Sequence, residues 1–494
     1  MARSGILLLS NKKLWRPLTK KEMYLFEQEA LRVLNEVGMC VLNQKILEIA
    51  ENNGCQVDYK TKIILFPEYV VEDYTRKAPK TFRLAGRDPE NDIIFEGPSK
   101  RAYGCFSSPM PKICLWNEDL KEYVYRNATS SDVARATAHY DCLEHIDLVC
   151  PPCLDLEAAE AGLPNAIHEV KTCLTHTTKH VNLMNAAPMT IEEWDYFARL
   201  AAEVVGGLDE LEKRPLISGT ALVTPPLTLG ISACYTLLGA TKYNLPLLVG
   251  GANAPTTILN ACQVVLHYAS NLGTLTLAQM INPGTPCVIE IWQAPLDMYY
   301  ATLNFASPES QLLNAALVQL VHDCLRLPCN TSPNTSSKTT DIQAAYEIAL
   351  NVVFQFLTGV DIWTNYSFND QAYNPETLIL NHELYGYMKQ LSHRHGDLIP
   401  IEENIAFQAI KEVGTGGDYL THPITINNVK LLYRPRLADY RTLYAWMKDK
   451  TSMLDRIRAK VKEIDEYEPP PLPNEVVEKM NHIVKEADKK LGRV

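Results

Sequence analysis

No uninterrupted apolar stretch in this 494-residue chain reaches the length of a membrane span. The richest region, Leu216 to Gly251, is broken by Pro225, Pro226, Gly230, Lys242 and Pro246. Ile6 to Leu9 is a four-residue apolar run, too short for the core of a secretory signal. The chain lacks a basic balance: its net charge is -11, which argues against nucleic acid as a partner. Neither a phosphate-binding P-loop nor a G-x-G-x-x-G nucleotide fingerprint occurs. The 13 cysteines are odd in number and scattered, so they read as reduced, mostly buried thiols of a cytoplasmic protein. Cys150-Pro-Pro-Cys153 has redox or zinc spacing, but no second pair follows at zinc-ribbon distance. His393-Arg-His395 lacks the i, i+4 spacing of a helical metal pair.

What is present is a soluble globular composition, 46% hydrophobic and 21% charged, with material for a sizeable core. Residues 20 to 53 read as helices, with Phe26, Ala30, Val33, Leu34 and Val37 at helical spacing and Gly38 as a stop. Strand-like runs follow around Ile63 to Phe66 and Thr81 to Leu84, so residues 1 to 95 are expected to form an N-terminal cap of helices and strands. From about 100 the rhythm changes. Apolar runs at Ala102–Phe106, Ile146–Val149, His180–Met184, Leu216–Ala221, Leu245–Val249, Pro286–Ile291, Leu327–Asn330 and Val360–Trp363 alternate with helical patterns such as Ile191–Val205 and Gln311–Cys324. Strands alternating with helices imply parallel βαβ units. Eight such runs predict an α/β fold, a TIM (β/α)8 barrel spanning residues 96 to 434. Residues 435 to 494 read as a charged helical extension, interrupted by the stiff Glu468-Pro-Pro-Pro-Leu-Pro473 spacer, with Asn474 placed to cap the last helix.

Several segments, in order, carry a resemblance. They are Leu34-Asn-Glu-Val-Gly38, Ala78-Pro-Lys80, Gly86-Arg-Asp-Pro-Glu-Asn-Asp92, Gly250-Gly-Ala-Asn-Ala-Pro255, Asp297-Met298, Ser307-Pro-Glu-Ser310, Ser336-Ser-Lys-Thr-Thr-Asp-Ile-Gln343, Glu412-Val-Gly-Thr-Gly-Gly417 and Thr421-His-Pro423. Together they resemble the trimethylamine methyltransferase family over nearly the whole chain. Some members of that family carry pyrrolysine near the Ser336–Gln343 region and demethylate a tertiary amine. Only standard residues stand here, and members without pyrrolysine are associated with quaternary amines such as betaines. Thr415 and Asp418 stand where the family more often has Pro and His, and Glu290-Ile-Trp292 departs from the small and aromatic residues common there. The resemblance implies methyl transfer from an amine to the reduced cobalt of a corrinoid. That corrinoid (cobalamin) would be presented by a partner protein, with no cofactor or metal bound by this chain.

A quaternary ammonium already has a neutral amine as leaving group, so its demethylation needs no general acid. Such a site needs an aromatic cage, a group for the far end of the substrate, and a dry pocket. Barrel sites lie at the C-terminal ends of strands. Phe106, Trp292, Trp363 and Tyr366 lie at or just after the expected ends, and Tyr299 and Phe305 follow in a nearby loop. Aromatic side chains also fill barrel cores, and that alternative stands for each. Glu290 falls inside a strand end, where it could face N⁺, or be a salt-bridged or solvent-facing carboxylate. If the substrate is a betaine, its carboxylate needs donors. His382, His422, Lys338 and the amides of Gly414–Gly417, Gly416 among them, are candidates. The glycine loop could instead be a tight turn or contact the corrin partner, and Lys338 a structural cap or ion pair. The expected partners are a small-molecule quaternary amine, glycine betaine first, and a corrinoid protein, with no nucleic acid and no membrane. A homo-oligomer is left open by the charged C-terminal helices. The rivals are trimethylamine as substrate, a non-catalytic betaine-binding protein, and a barrel enzyme of other chemistry.

Overall fold

The computed structural model describes the chain apart from residues 1–5, 8–13, 107–109, 185–187, 252–259, 333, 366–371, 394–404, 430–431 and 493–494. Eight parallel strands close on themselves: β1 (Arg101–Phe106), β2 (Leu148–Val149), β3 (His180–Leu183), β4 (Ile217–Thr224), β5 (Leu247–Gly251), β6 (Cys287–Ile291), β7 (Cys329–Thr331) and β8 (Ile362–Asn365). Each pairs with the next, and β8 returns to β1 with Thr364 opposite Cys105 and Asn365 opposite Phe106. The eight apolar runs of the sequence are these eight strands, and the fold is the TIM barrel they predict.

One main helix follows each strand: α1 (Ser130–Cys142), α2 (Asn165–His176), α3 (Glu193–Val205), α4 (Ile231–Lys242), α5 (Asn260–Ile281), α6 (Pro308–Leu320), α7 (Ile342–Thr358) and α8 (Pro375–His393). Their starts are capped as the local sequence requires. Asp341 accepts from the Ala344 amide at the head of α7, and Ser307 accepts from the Ser310 amide at the head of α6, with Pro308 in its first turn. The outward strand faces meet these helices. The Trp194 ring of α3 lies where a Cβ on Gly219 of β4 would stand, so only glycine allows that approach.

The N-terminal residues cover one flank of the barrel. Thr19 and Glu22 form a capping box at the start of the helix Lys20–Glu36. Gly38, at φ 77, ends that run, and a Cβ there would collide with the Ile64 carbonyl. The stretch read as continuous helices is interrupted by a strand, Met39–Val41, before the helix Gln44–Asn52. That strand pairs with Thr228–Leu229, the antiparallel return of β4, and so extends the barrel sheet into the cap. The 22-residue α5 is buried at every residue from His267 to Met280 because it is clasped between barrel and cap, with Gly273 leaving room for the Met39 thioether.

At the other end of the chain the helices Met453–Asp465 and Asn474–Leu491 pack on the barrel's own helices. Asp465 takes Arg135 and His139 of α1, and Glu486 takes Arg199 of α3. These ion pairs hold the two helices to the barrel of the same chain. Asn474 is the first helical residue rather than the cap; Pro473 occupies the cap position and makes no side-chain cap hydrogen bond. All thirteen cysteines are free. Among the described residues no helix is long and apolar enough to cross a membrane.

Candidate active site

Alternation along the strands decides what lines the barrel. Gly104 and Trp363 face outward: a Cβ on Gly104 would meet the Tyr385 ring of α8, and Trp363 packs edge-on against Tyr385 and against Phe356 of α7. Their neighbours Cys105, Ile362 and Thr364 therefore face inward. The same parity turns Glu290 of β6, Asn330 of β7, and Ser218 and Thr220 of β4 into the barrel.

Glu290 is 1% exposed. Asn330 Nδ2 donates to its carboxylate at 2.7 Å and Ser332 Oγ donates at 2.9 Å. Thr364 Oγ1 in turn donates to Asn330 Oδ1 at 2.8 Å, so a polar chain crosses β6, β7 and β8. Burial pushes the Glu290 carboxyl up to about 7, and the hydrogen bonds from Asn330 and Ser332 pull it back only in part. The opposite arc is also polar. Thr220 donates to Asn182 Oδ1 at 3.0 Å, the Asn182 amide reaches Ser218 at 2.9 Å, and the Cys105 and Cys150 sulfurs lie 3.6 Å apart. The Cys150-Pro-Pro-Cys153 pair thus separates. Cys150 turns to Cys105, while Cys153 pairs with Met110 in an isolated bridge.

Immediately past β6, Trp292 stacks on Phe305 with ring centroids 5.7 Å apart and an interplanar angle of 15°. The chain between them carries a small hairpin, Leu296–Asp297 against Thr302–Leu303. Its turn exposes Met298, Tyr299 and Tyr300, with Tyr299 86% exposed. Behind the stack His267 of α5 holds Gln293 at 3.2 Å, and Gln293 donates to Gln263. Burial holds the His267 imidazole down at about 4, hence neutral.

The other sequence candidates fall elsewhere. Phe106 faces outward with Gly104 and packs on Tyr140 of α1, and Trp363 faces α7 and α8 with its indole N–H on the Val360 carbonyl. Neither ring is at the mouth. Phe106 ends β1 and Trp363 is the second of the four residues of β8, and both lie on the outward side of the alternation, where apolar bulk fills the space between wall and helices. Lys338 is an exposed side chain in the otherwise largely buried loop before α7, with its ammonium on the Ser336 carbonyl rather than on a carboxylate. His382 lies along α8, stacked on His145 at 4.7 Å, in the loop that precedes β2 at the opposite end of the barrel. Burial keeps both imidazoles below their ordinary range. Gly416, at φ 80, belongs to the exposed turn after the helix Ile405–Val413. His422 caps the short helix Pro423–Asn428 and pairs with Glu412. Tyr366 lies outside the described residues. Asn330, Ser332 and Thr364, which carry no motif in the sequence, join Glu290 in its network. They are small neutral side chains, and only strand parity marks them.

The chain is thus a closed (β/α)8 barrel that holds the desolvated Glu290 carboxyl inside β6 and an aromatic stack just past the C-terminal end of the same strand. The chain belongs to the trimethylamine methyltransferase family, whose model matches residues 6–492. It is 27% identical over 484 residues to a trimethylamine methyltransferase of Desulfitobacterium hafniense, covering 96% of this chain and 94% of that one. It is 25% identical over 486 residues to a glycine betaine methyltransferase of the same species, covering 96% and 98%. Among solved structures, the monomethylamine methyltransferase of Methanosarcina barkeri superposes with a TM-score of 0.51 at 10% identity, covering 92% of this chain and 90% of that one. That likeness is one of fold.

Proposed function

We propose that this methyltransferase-family protein moves a methyl group from a quaternary amine, glycine betaine first, to the Co(I) corrinoid of a partner protein. The observation that carries the reading is Glu290, whose described partners, Asn330 and Ser332, are both neutral. A buried carboxylate with neutral partners is costly, and a positively charged substrate is the natural complement. Trp292 and Phe305, a few residues on, supply the aromatic faces that recognise quaternary ammonium groups.

The reaction asks little else of this chain. The leaving group is a neutral tertiary amine, so no residue must donate a proton to it. The corrinoid, as the methyl acceptor, supplies a nucleophilic metal centre. Displacement weakens an existing positive charge, so a pocket that solvates the ground-state cation poorly favours reaction. Glu290 would set the cation's position along the barrel axis, and the stacked rings would fix the methyl direction. The exposed Met298, Tyr299 and Tyr300 beside this stack supply apolar surface where the acceptor must approach.

The test mixes the purified protein with a competent corrinoid protein, reduced to Co(I), and a panel of glycine betaine, proline betaine, carnitine, γ-butyrobetaine and trimethylamine. Loss of the Co(I) absorbance with one quaternary amine is the expected result. Reaction with trimethylamine alone would replace the quaternary substrate. No reaction with any member, together with calorimetric binding of a betaine, would favour a non-catalytic binding protein.

A further inference from the structure

Asn334, two residues past Ser332, is 1% exposed, and neither the oxygen nor the nitrogen of its side chain has a hydrogen-bond partner. A carboxamide buried with both ends unpaired is costly, so its presence calls for an explanation. Its direction follows from its neighbours. Thr331 Oγ1 accepts from Gln355 at 3.0 Å and Thr335 Oγ1 donates to Glu347 at 2.6 Å, both on α7, so the two threonines face outward. Asn330 and Ser332 alternate with them and reach Glu290 inside the barrel. Asn334, itself in a β-bridge, continues that inward series. Two residues of extended chain carry it about 7 Å nearer the mouth than Ser332. Asn351 of α7 holds its backbone carbonyl at 3.2 Å, which anchors the segment and leaves the carboxamide unpaired.

We propose that Asn334 receives the carboxylate of a zwitterionic quaternary amine and so selects betaines over simple ammonium cations. This rests on the function proposed above and assigns the far end of the substrate. That end has had no donor, because Lys338, His382, Gly416 and His422 all lie elsewhere. On the opposite arc Asn182, Ser218 and Thr220 are occupied with one another. The Asn334 amide N–H is a neutral donor, and a bond from it to a carboxylate is charge-assisted. Its oxygen suits the polarised methyl C–H groups of the ammonium head. A carboxamide carries its negative and positive ends side by side, as glycine betaine carries its carboxylate and ammonium one methylene apart. The two dipoles pair head to tail, with the ammonium toward Glu290. A carboxylate held against the β7 wall leaves the barrel axis free for a methyl group. A cation without a carboxylate leaves the amide unpaired in the complex, and a site built around a hydrogen bond rejects the analogue that lacks it.

Calorimetry with glycine betaine and with tetramethylammonium, on wild type and on Asn334→Leu, tests this. Wild type should hold glycine betaine the more tightly. Asn334→Leu should lose glycine betaine affinity by about 10- to 100-fold, the worth of a hydrogen bond to a charged group, and bind tetramethylammonium as wild type does. Its denaturation midpoint should not fall below that of wild type, since an unpaired buried amide has been removed. Equal affinity for glycine betaine in the two proteins would overturn the assignment. So would an equal loss of both ligands, which marks a structural role. If wild type binds neither ligand, the quaternary amine substrate proposed above falls, and this assignment with it. Should Asn334→Leu not fold, Asn334→Ala is read the same way, with glycine betaine affinity alone expected to drop.

Discussion

Asn330 binds Glu290 and Thr364 at once, giving its amide N–H to the carboxylate at 2.7 Å and taking the threonine hydroxyl on its oxygen at 2.8 Å. This fixes the asparagine's orientation, because a flipped amide would set a donor against the Thr364 hydroxyl and an acceptor against the carboxylate. Glu290 is thereby held in one rotamer before any substrate arrives. A preorganised charge costs less to use than one that must be turned into place.

Replacing Glu290 by Gln tests the charge while keeping the shape. The variant is expected to fold, since the position is already easier to fill with a neutral group. Binding of the quaternary amine should weaken by about 100-fold, in the range seen when one partner of a buried charge pair is removed. Titration calorimetry with glycine betaine reads this directly. Equal affinity in wild type and variant would remove Glu290 from the site.

The same carboxyl predicts a pH dependence with a definite sign. Its folded value, raised from 4.5 to about 7 by burial, means that the folded protein still holds a proton that the unfolded chain has released. The stability tied to this group is therefore fully present at acid pH and is lost as pH rises toward about 7, by about 3 kcal/mol in all. Denaturant unfolding should show wild type gaining on Glu290→Gln as pH falls through this window. Bound cation acts the other way, favouring the ionised form. Affinity should rise from about pH 6 to about pH 8, with a proton released on binding at the lower end. Calorimetry in buffers of different ionisation enthalpy measures that proton, and a flat affinity would contradict the assignment.

The eight barrel strands were legible because strands buried on both faces read as short apolar runs, with turns and helical patterns between them. That same burial hid which residue of each run faces inward. Phe106 and Trp363 end their apolar runs and carry the expected aromatic chemistry, yet the strand of Trp363 continues to Asn365, and Cys105 and Thr364, one position away, are the inward residues. Polar residues break the symmetry, and Glu290 is conspicuous for being charged within β6. Asn330 and Thr364 are too small and too common in strands to be conspicuous. The segments around Gly416 and His422 resemble the family in sequence, but similarity gives no position in space. In this chain they lie on the exposed segment between α8 and the final helices.

At the opposite end of the barrel Asp361 is a structural counterpart to Glu290, with full rather than partial pairing. It accepts from the Ser99 amide at 2.7 Å, the Cys329 amide at 2.9 Å and the His322 ring at 2.8 Å. Removing it strands two buried amide donors. Asp361→Ala should lower unfolding stability by about 3–5 kcal/mol, as for other broken buried networks, and leave betaine affinity unchanged if the protein is assayed well below its new melting temperature. Loss of affinity at full folding would tie this clasp to the site.

Two tryptophans separate the inward from the outward reading. Trp292 stacks on Phe305 beside the chamber, partly exposed, whereas Trp363 is wholly buried between β8 and its helices. Trp292→Leu removes an aromatic face but keeps bulk, so it should weaken quaternary amine binding by about tenfold, in line with 1–2 kcal/mol for a desolvated cation–π contact, with little change in melting temperature. Trp363→Leu should do the reverse. It opens space against Phe356 and Tyr385 and strips the Val360 carbonyl of its donor, costing about 2–4 kcal/mol of stability without changing affinity. Calorimetry and denaturant unfolding on both variants give the four numbers. If the affinity loss follows Trp363 instead, the strand parity assigned to the barrel lining is reversed, and Glu290 with it would face the helices.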